Sequence, residues 1–169
     1  YKQLGKYETE DQITAAKYLG NLSYIDENNI GIFGWSYGGY MSSLCITKGA
    51  DVFKSAIAVA PVTNWRYYDN IYTERFMQKP QENGENYDIN SPINHVEKLK
   101  GNYLLIHGTA DDNVHFQNAT EMVSALVNKN KQFEFFAYPD KNHGIYGGYT
   151  RLHLYNKMTD FLNKTLKEE

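Results

Sequence analysis

Six consecutive residues, Gly34-Trp35-Ser36-Tyr37-Gly38-Gly39, constrain this chain more than any other feature. An apolar run, Ile30-Gly31-Ile32-Phe33, precedes them, and a helix-compatible run from Tyr40 to Ile46 follows. A strand, a sharp Gly-x-Ser-x-Gly turn and a helix make a nucleophile elbow, with the serine on a strained turn and its Oγ exposed. Gly34 and Gly38 carry no Cβ, so the spacing predicts close approach of the strand and the helix. The start of that helix presents backbone N–H groups where an oxyanion would form.

A serine hydroxyl is a weak nucleophile at neutral pH. It needs a histidine base, and the base needs a carboxylate to fix its tautomer. With this type of elbow the chain order is serine, then acid, then histidine. Downstream, the apolar run Tyr103-Leu104-Leu105-Ile106-His107 leads into Gly108-Thr109-Ala110-Asp111-Asp112-Asn113. A second run, Phe133 to Tyr138, leads into Pro139-Asp140-Lys141-Asn142-His143-Gly144. Both segments place a candidate on a loop after a buried strand, at the carboxyl edge where open α/β sheets build their sites. Ser36, then Asp111 or Asp112, then His143 follow in the required order, and spacing leaves the choice between the two aspartates open. His107 ends a strand and reads as a structural hydrogen-bonding residue. His115 opens the following helix, and His95 and His153 read as surface residues. No Cys-x-x-Cys pair, His-Glu-x-x-His motif or phosphate-binding Gly-x-x-x-x-Gly-Lys loop occurs, so neither a metal nor a cofactor is expected.

Four strands are expected, at 29–35, 54–60, 102–108 and 133–138, each followed by a helix or loop as in a parallel sheet. A helix is expected to begin near Thr9, capped by its hydroxyl with Gln12 three residues on, and to bury Ile13, Ala16, Tyr18 and Leu19. The polar stretch 79–86 reads as an exposed loop. A helix over 116–129 should bury Phe116, Ala119, Met122, Val123 and Leu126. A last helix, over 151–166, shows Leu152, Tyr155, Met158, Leu162 and Leu166. The run from Trp65 to Tyr72 is unusually aromatic for a loop. Tyr68 and Tyr72 are four apart, so one helical turn would put both rings on one face. With 17 basic and 20 acidic residues the net charge is −3, which argues against a nucleic-acid surface. No run of 18 apolar residues exists to span a membrane. The single cysteine, Cys45, reads as a packed small hydrophobe.

With these motifs the chain resembles the catalytic domain of the prolyl oligopeptidase clan, in its dipeptidyl peptidase IV branch. The resemblance runs from Leu4 to about Leu162. It rests on Gly-Trp-Ser-Tyr-Gly-Gly at 34–39, Ala-Val-Ala-Pro-Val at 58–62, Tyr-Tyr-Asp at 67–69, Tyr-Thr-Glu-Arg at 72–75, His-Gly-Thr-Ala-Asp-Asp-Asn-Val-His at 107–115 and Asn-His-Gly at 142–144. It implies an α/β-hydrolase fold, here the second half of a mostly parallel sheet flanked by helices. It implies Ser36 as nucleophile, Asp111 as acid and His143 as base, with the backbone N–H of Tyr37 as one oxyanion donor. Tyr68, Tyr72, Trp65, Val62 and Val114 would line a pocket for proline, and Asn113 would bind the substrate backbone.

The activity implied is that of a serine exopeptidase releasing X-Pro or X-Ala dipeptides from peptides. The alternatives are another peptidase of the clan, such as an oligopeptidase or acylaminoacyl peptidase, or a catalytically inert interaction module. The family's sheet has strands upstream of the elbow, so the chain reads as the C-terminal portion of a larger enzyme, its earlier strands and β-propeller domain lying outside it. The second oxyanion donor would then be missing, and losing one such donor costs about 10²–10³-fold in rate. The isolated chain is therefore expected to be weak or inert. The resemblance further implies a homodimer in the full-length parent and a periplasmic or cell-surface location. The absence of disulfides suits a bacterial source.

Overall fold

Four short apolar strands carry the molecule, and α-helices cover both of their faces. The computed structural model describes residues 1–167. The elements run α1 (Lys6–Gly20), β1 (Gly31–Trp35), α2 (Tyr37–Lys48), β2 (Ser55–Val59), α3 (Asn70–Met77), α4 (Pro80–Ile89), β3 (Asn102–Gly108), α5 (Gln117–Asn128), β4 (Glu134–Tyr138) and α6 (Thr150–Leu166). Short 3₁₀ turns precede β1, α3 and β3. The strands pair in the order β1-β2-β3-β4, all parallel. This is the parallel α/β sheet expected from the sequence.

Side chains on a strand alternate between faces, and that period of two divides the core. Ala56, Ala58, Tyr103 and Leu105 pack with α2 and α5 residues such as Leu44, Ile46, Met122 and Leu126. Ile57, Val59, Leu104 and Ile106 pack with Leu154, Met158 and Phe161 of α6. Each such large side chain contributes about 1.5–3 kcal/mol by leaving water. Helix α2 lies beneath the sheet and is buried continuously from Gly39 to Thr47, Cys45 included. The edge strand β1 is less covered, and Phe33 is 49% exposed.

Four expectations are corrected. Helix α1 begins at Lys6, three residues before Thr9. Gly5, at φ 89°, turns the chain into the helix, and its N–H donates to Glu8 Oε2 at 3.1 Å. Thr9 is buried within the first turn and donates back to the Gly5 carbonyl instead of capping. The inward stripe of α1 is therefore Thr9, Ile13 and Ala16, and rotation by about 100° per residue carries Tyr18 and Leu19 out to solvent. The stretch 79–86 is not a loop but opens α4. Pro80 presets the first turn, and Tyr87 anchors the helix by burying its ring and donating to the Gln78 carbonyl at 2.6 Å. On α6 the buried stripe is Leu154, Met158, Phe161 and Thr165, and Leu152 and Tyr155 face solvent. The sequence carries two overlapping stripes, and contact with β2 and β3 selects one.

The last correction concerns the elbow glycines. A Cβ on Gly34 would meet the Gly38 carbonyl oxygen at 2.0 Å, and one on Gly39 would meet the Val59 oxygen at 2.8 Å. A Cβ on Gly38 would meet nothing within 4 Å. Gly34 thus permits the close approach of β1 and α2, Gly39 that of α2 and the end of β2, and Gly38 contributes bare backbone. Gly34→Ala is expected to cost about 1–3 kcal/mol by overpacking, and Gly38→Ala to leave thermal unfolding unchanged or slightly raised. Denaturation midpoints of the two variants check this, and equal losses would contradict it.

Candidate active site

Three loops at the carboxyl ends of β1, β3 and β4 converge, and backbone contacts hold them in place. Ser36 leaves β1 with φ 58° and ψ −119°, a conformation that side chains rarely adopt. Its N–H donates to the Val59 carbonyl at 2.8 Å, and its carbonyl accepts from the Tyr40 N–H at 2.9 Å. The serine is therefore fixed at both ends, by β2 and by the first turn of α2. Strain of about 1–3 kcal/mol persists only where the surroundings over-determine the backbone.

The loops that carry Asp111 and His143 are pressed together where β3 ends. A Cβ on Gly108 would meet the Lys141 oxygen at 2.2 Å. The Thr109 N–H donates to the Tyr138 carbonyl at 3.0 Å, and the Ala110 N–H to the Lys141 carbonyl at 3.1 Å. This packing brings Asp111 to His143, with Oδ2 2.7 Å from Nδ1. Asp111 is the buried member of its doublet and Asp112 the exposed one, so the structure pairs His143 with Asp111. Asp111 Oδ1 accepts the N–H groups of Asn113 and Val114 at 3.0 and 2.9 Å. Burial pushes the Asp111 carboxyl up. Hydrogen bonds from His107 and His143, the nearby His143 charge and the Asn113 N–H outweigh burial and hold it well below the usual carboxylate range.

His143 keeps part of its ring exposed, 21% of the side chain. Its backbone is clamped. The indole N–H of Trp35 donates to the His143 carbonyl at 3.0 Å. Arg151 donates to the Gly144 carbonyl through Nε and Nη2 at 3.3 and 3.0 Å, with its guanidinium 5.6 Å from the Trp35 ring centre. Among the described residues no hydrogen bond links Ser36 Oγ to His143, so these two share the edge without closing the contact. Such contacts are commonly loose without substrate.

The aromatic residues form one cluster. Trp65 is fully buried, stacks on Tyr72 at 5.7 Å and 22°, and meets Tyr68 edge-on at 5.9 Å. Tyr68 precedes α3, so no single helical turn carries both tyrosines, yet their rings still meet at 5.3 Å and 89°. Val62 and Val114 are buried behind them. Tyr68 Oη donates to Asn113 Oδ1 at 2.7 Å, which leaves the amide NH₂ of the exposed Asn113 free to donate outward.

Three contributions escaped the reading of the sequence. Glu8 Oε1 accepts from Tyr37 Oη at 2.6 Å, and burial followed by this bond and the Glu8 charge pushes the Tyr37 hydroxyl far up. The Gly5–Glu8 cap was the available signal. Arg151 and the indole of Trp35 hold the base loop, and His107 lies against Asp111; no spacing pattern announces any of these contacts. His95 is also only half-exposed, with its Nε2 2.6 Å from the Ile89 carbonyl.

A strained serine at a strand-to-helix turn, with a histidine–carboxylate pair on two other loops of the same sheet edge, is the arrangement of an α/β-hydrolase elbow. The chain belongs to the prolyl oligopeptidase family, peptidase S9, which it matches over residues 1–169. It is 50% identical over 167 residues to prolyl endopeptidase FAP of Mus musculus, covering 97% of this chain and 22% of the relative. It is 45% identical over 166 residues to dipeptidyl peptidase 4 of Felis catus, covering 96% and 22%. Among solved structures, dipeptidyl peptidase 4 of Porphyromonas gingivalis superposes with a TM-score of 0.97 at 50% identity, over 98% of this chain and 24% of that one. The chain thus spans under a quarter of the length of these relatives.

The depressed Asp111 carboxyl has a thermodynamic consequence. Its stabilising contribution is complete above the unfolded aspartate value, about 3.9, and is lost as pH falls toward the lower folded value. Asp111→Asn is expected to cost about 1–3 kcal/mol near neutral pH, because an amide meets donors on both sides. Denaturant unfolding followed from about pH 6 down to pH 3 should show this gap narrowing. A gap independent of pH would contradict the assignment.

Proposed function

We propose that this chain is the C-terminal, catalytic part of a serine peptidase of the dipeptidyl peptidase IV type. The carrying observation is the Asp111–His143 pair at 2.7 Å, set on the same sheet edge as the strained Ser36. In this reading Ser36 Oγ attacks the carbonyl carbon of the scissile bond, and His143 Nε2 takes the hydroxyl proton. Asp111 Oδ2 accepts from Nδ1–H and stabilises the imidazolium. The backbone N–H of Tyr37 donates to the oxyanion, in the role of the residue after the nucleophile. The C–N bond then breaks, His143 gives its proton to the leaving amine, and water resolves the acyl-enzyme by the same sequence in reverse.

Specificity for proline at the second position rests on the aromatic cluster. Tyr68 and Tyr72 are half-exposed rings backed by the buried Trp65, Val62 and Val114. They offer flat apolar faces to a residue that has no N–H of its own. The outward amide of Asn113 suits a carbonyl of the substrate backbone. The length of the relatives supports a larger parent that supplies the second oxyanion donor and the recognition of the substrate's amino terminus. This chain alone would then be weak or inert, and the homodimer would belong to the parent.

A fluorophosphonate probe is expected to add covalently to Ser36 of the full-length protein, with Ser36→Ala abolishing the mass increase. Labelling that survives the substitution would remove Ser36 as nucleophile. Tyr72→Ala and Tyr68→Ala should each lower kcat/KM for Gly-Pro anilides by roughly tenfold or more, with smaller losses for Gly-Ala. Equal losses on both substrates would argue that the rings only support the fold. The name of the mouse relative favours a second reading, internal cleavage after proline. Acetylating the amino group of Gly-Pro substrates separates the two: an exopeptidase loses activity and an endopeptidase keeps it.

A further inference from the structure

The acid of the proposed triad has a second histidine beside it. His107, the sixth residue of β3, is fully buried and pairs in register with Ala137 of β4. Its Nε2 lies 2.8 Å from the Val114 carbonyl and 3.3 Å from Asp111 Oδ2. A carbonyl only accepts, so Nε2 carries the proton and donates. Nδ1 is buried and has no partner among the described residues. The ring edge is held by Phe116 at 5.7 Å and 84°. The two carboxylate oxygens of Asp111 therefore have different partners. Oδ1 takes the backbone N–H groups of Asn113 and Val114, and Oδ2 faces the two imidazoles.

We propose that His107 is a positioning residue for the acid: its shared N–H fixes Oδ2 toward His143 and draws off part of the carboxylate's charge. The proposal rests on the peptidase reading given above. The geometry supports two effects. The Val114 residue gives its N–H to Oδ1 and receives the His107 N–H on its carbonyl, so His107 closes the acid loop from the strand side. The carboxylate then cannot turn about its Cβ–Cγ bond without losing donors on both oxygens. The second effect is electrostatic. A donor on Oδ2 competes with His143 for the same negative charge, which tempers how strongly Asp111 stabilises the imidazolium.

The titratable groups facing this pair are few. The loop after β4 presents His143, and the aromatic loop presents Tyr68, bonded to Asn113. Helix α5 presents the Phe116 ring, and Asp112 points to solvent. Removing the His107 donor should leave Asp111 a stronger acceptor for His143 alone. The acid limb of kcat/KM would then move up.

The test uses the full-length protein with a Gly-Pro anilide. His107→Leu removes the donor, and His107→Gln keeps an N–H near the Nε2 position. His107→Leu is expected to lower kcat about 10- to 100-fold with a smaller change in KM. It should also raise the acid limb by roughly half a pH unit or more, and His107→Gln should restore the limb of the unmutated protein. A purely structural histidine would change yield and unfolding temperature and leave the limb in place, and that result overturns the proposal. Because Leu at a buried polar position can prevent folding, ¹⁵N-histidine NMR of the unmutated protein provides a second reading. The His107 Nε2–H resonance should follow the protonation of His143, and a resonance blind to that step also overturns the proposal. Failure of the unmutated protein to turn over substrate or label at Ser36 would sink the peptidase reading itself. An active protein whose variants share one acid limb sinks the role of His107 alone.

Discussion

The contact on which the rest of this structure depends is the one between β1 and the first turn of α2. Gly34 lies so close to the Gly38 backbone that a methyl group between them would overlap its carbonyl. That approach forces the connecting residue into a tight reversal, and Ser36 accepts a left-handed φ of 58° to make it. The Val59 carbonyl holds the Ser36 N–H from the neighbouring strand. Sheet pairing therefore aims the serine: moving β2 relative to β1 would move Ser36. The strain is local, and the stabilisation that tolerates it is spread over a helix buried from Gly39 to Thr47.

The same logic of close backbone approach builds the other half of the site. Gly108 lets the end of β3 lie against Lys141, and that contact sets the distance between the loops of Asp111 and His143. A buried carboxylate is costly without donors. Asp111 has backbone donors on one oxygen and imidazole nitrogens near the other, so burial is overcome and the ionised form is favoured. The His143 loop is held through its carbonyls, by Trp35 and Arg151, and the His143 ring is left partly open to solvent. The site thus combines a clamped backbone with partly open Ser36 and His143 side chains.

Much of the site was legible in the sequence because its geometry follows from chain order on a parallel sheet. Ser36, Asp111 and His143 each follow a strand, and strands of one direction deliver their C-terminal loops to one edge. The four-residue spacing of Tyr68 and Tyr72 predicts a shared face through one helical turn. They do meet, but through packing on Trp65 across a break between a 3₁₀ turn and α3. The misreadings share a cause. Polar composition at 79–86 hid a helix that Tyr87 anchors from further along the chain. Two apolar stripes on α6 were equally periodic, and only the sheet distinguishes Leu154 and Phe161 from Leu152 and Tyr155.

The sequence by itself determined the parallel α/β order of elements, the place of Ser36 on a strand-to-helix turn and the order in which Asp111 and His143 follow it. Those are properties of periodicity and of glycine placement, which act over a few residues. Only the tertiary structure decided between Asp111 and Asp112. Adjacent residues of one type differ solely in which side of the loop is buried, and packing of Gly108 against Lys141 settles that. It also decided that His107 lies against Asp111, that Glu8 pins Tyr37 and that Arg151 holds the loop of His143. Those pairs lie from 4 to 29 residues apart along the chain. Their meeting depends on directions that side chains take only after strands and helices have docked.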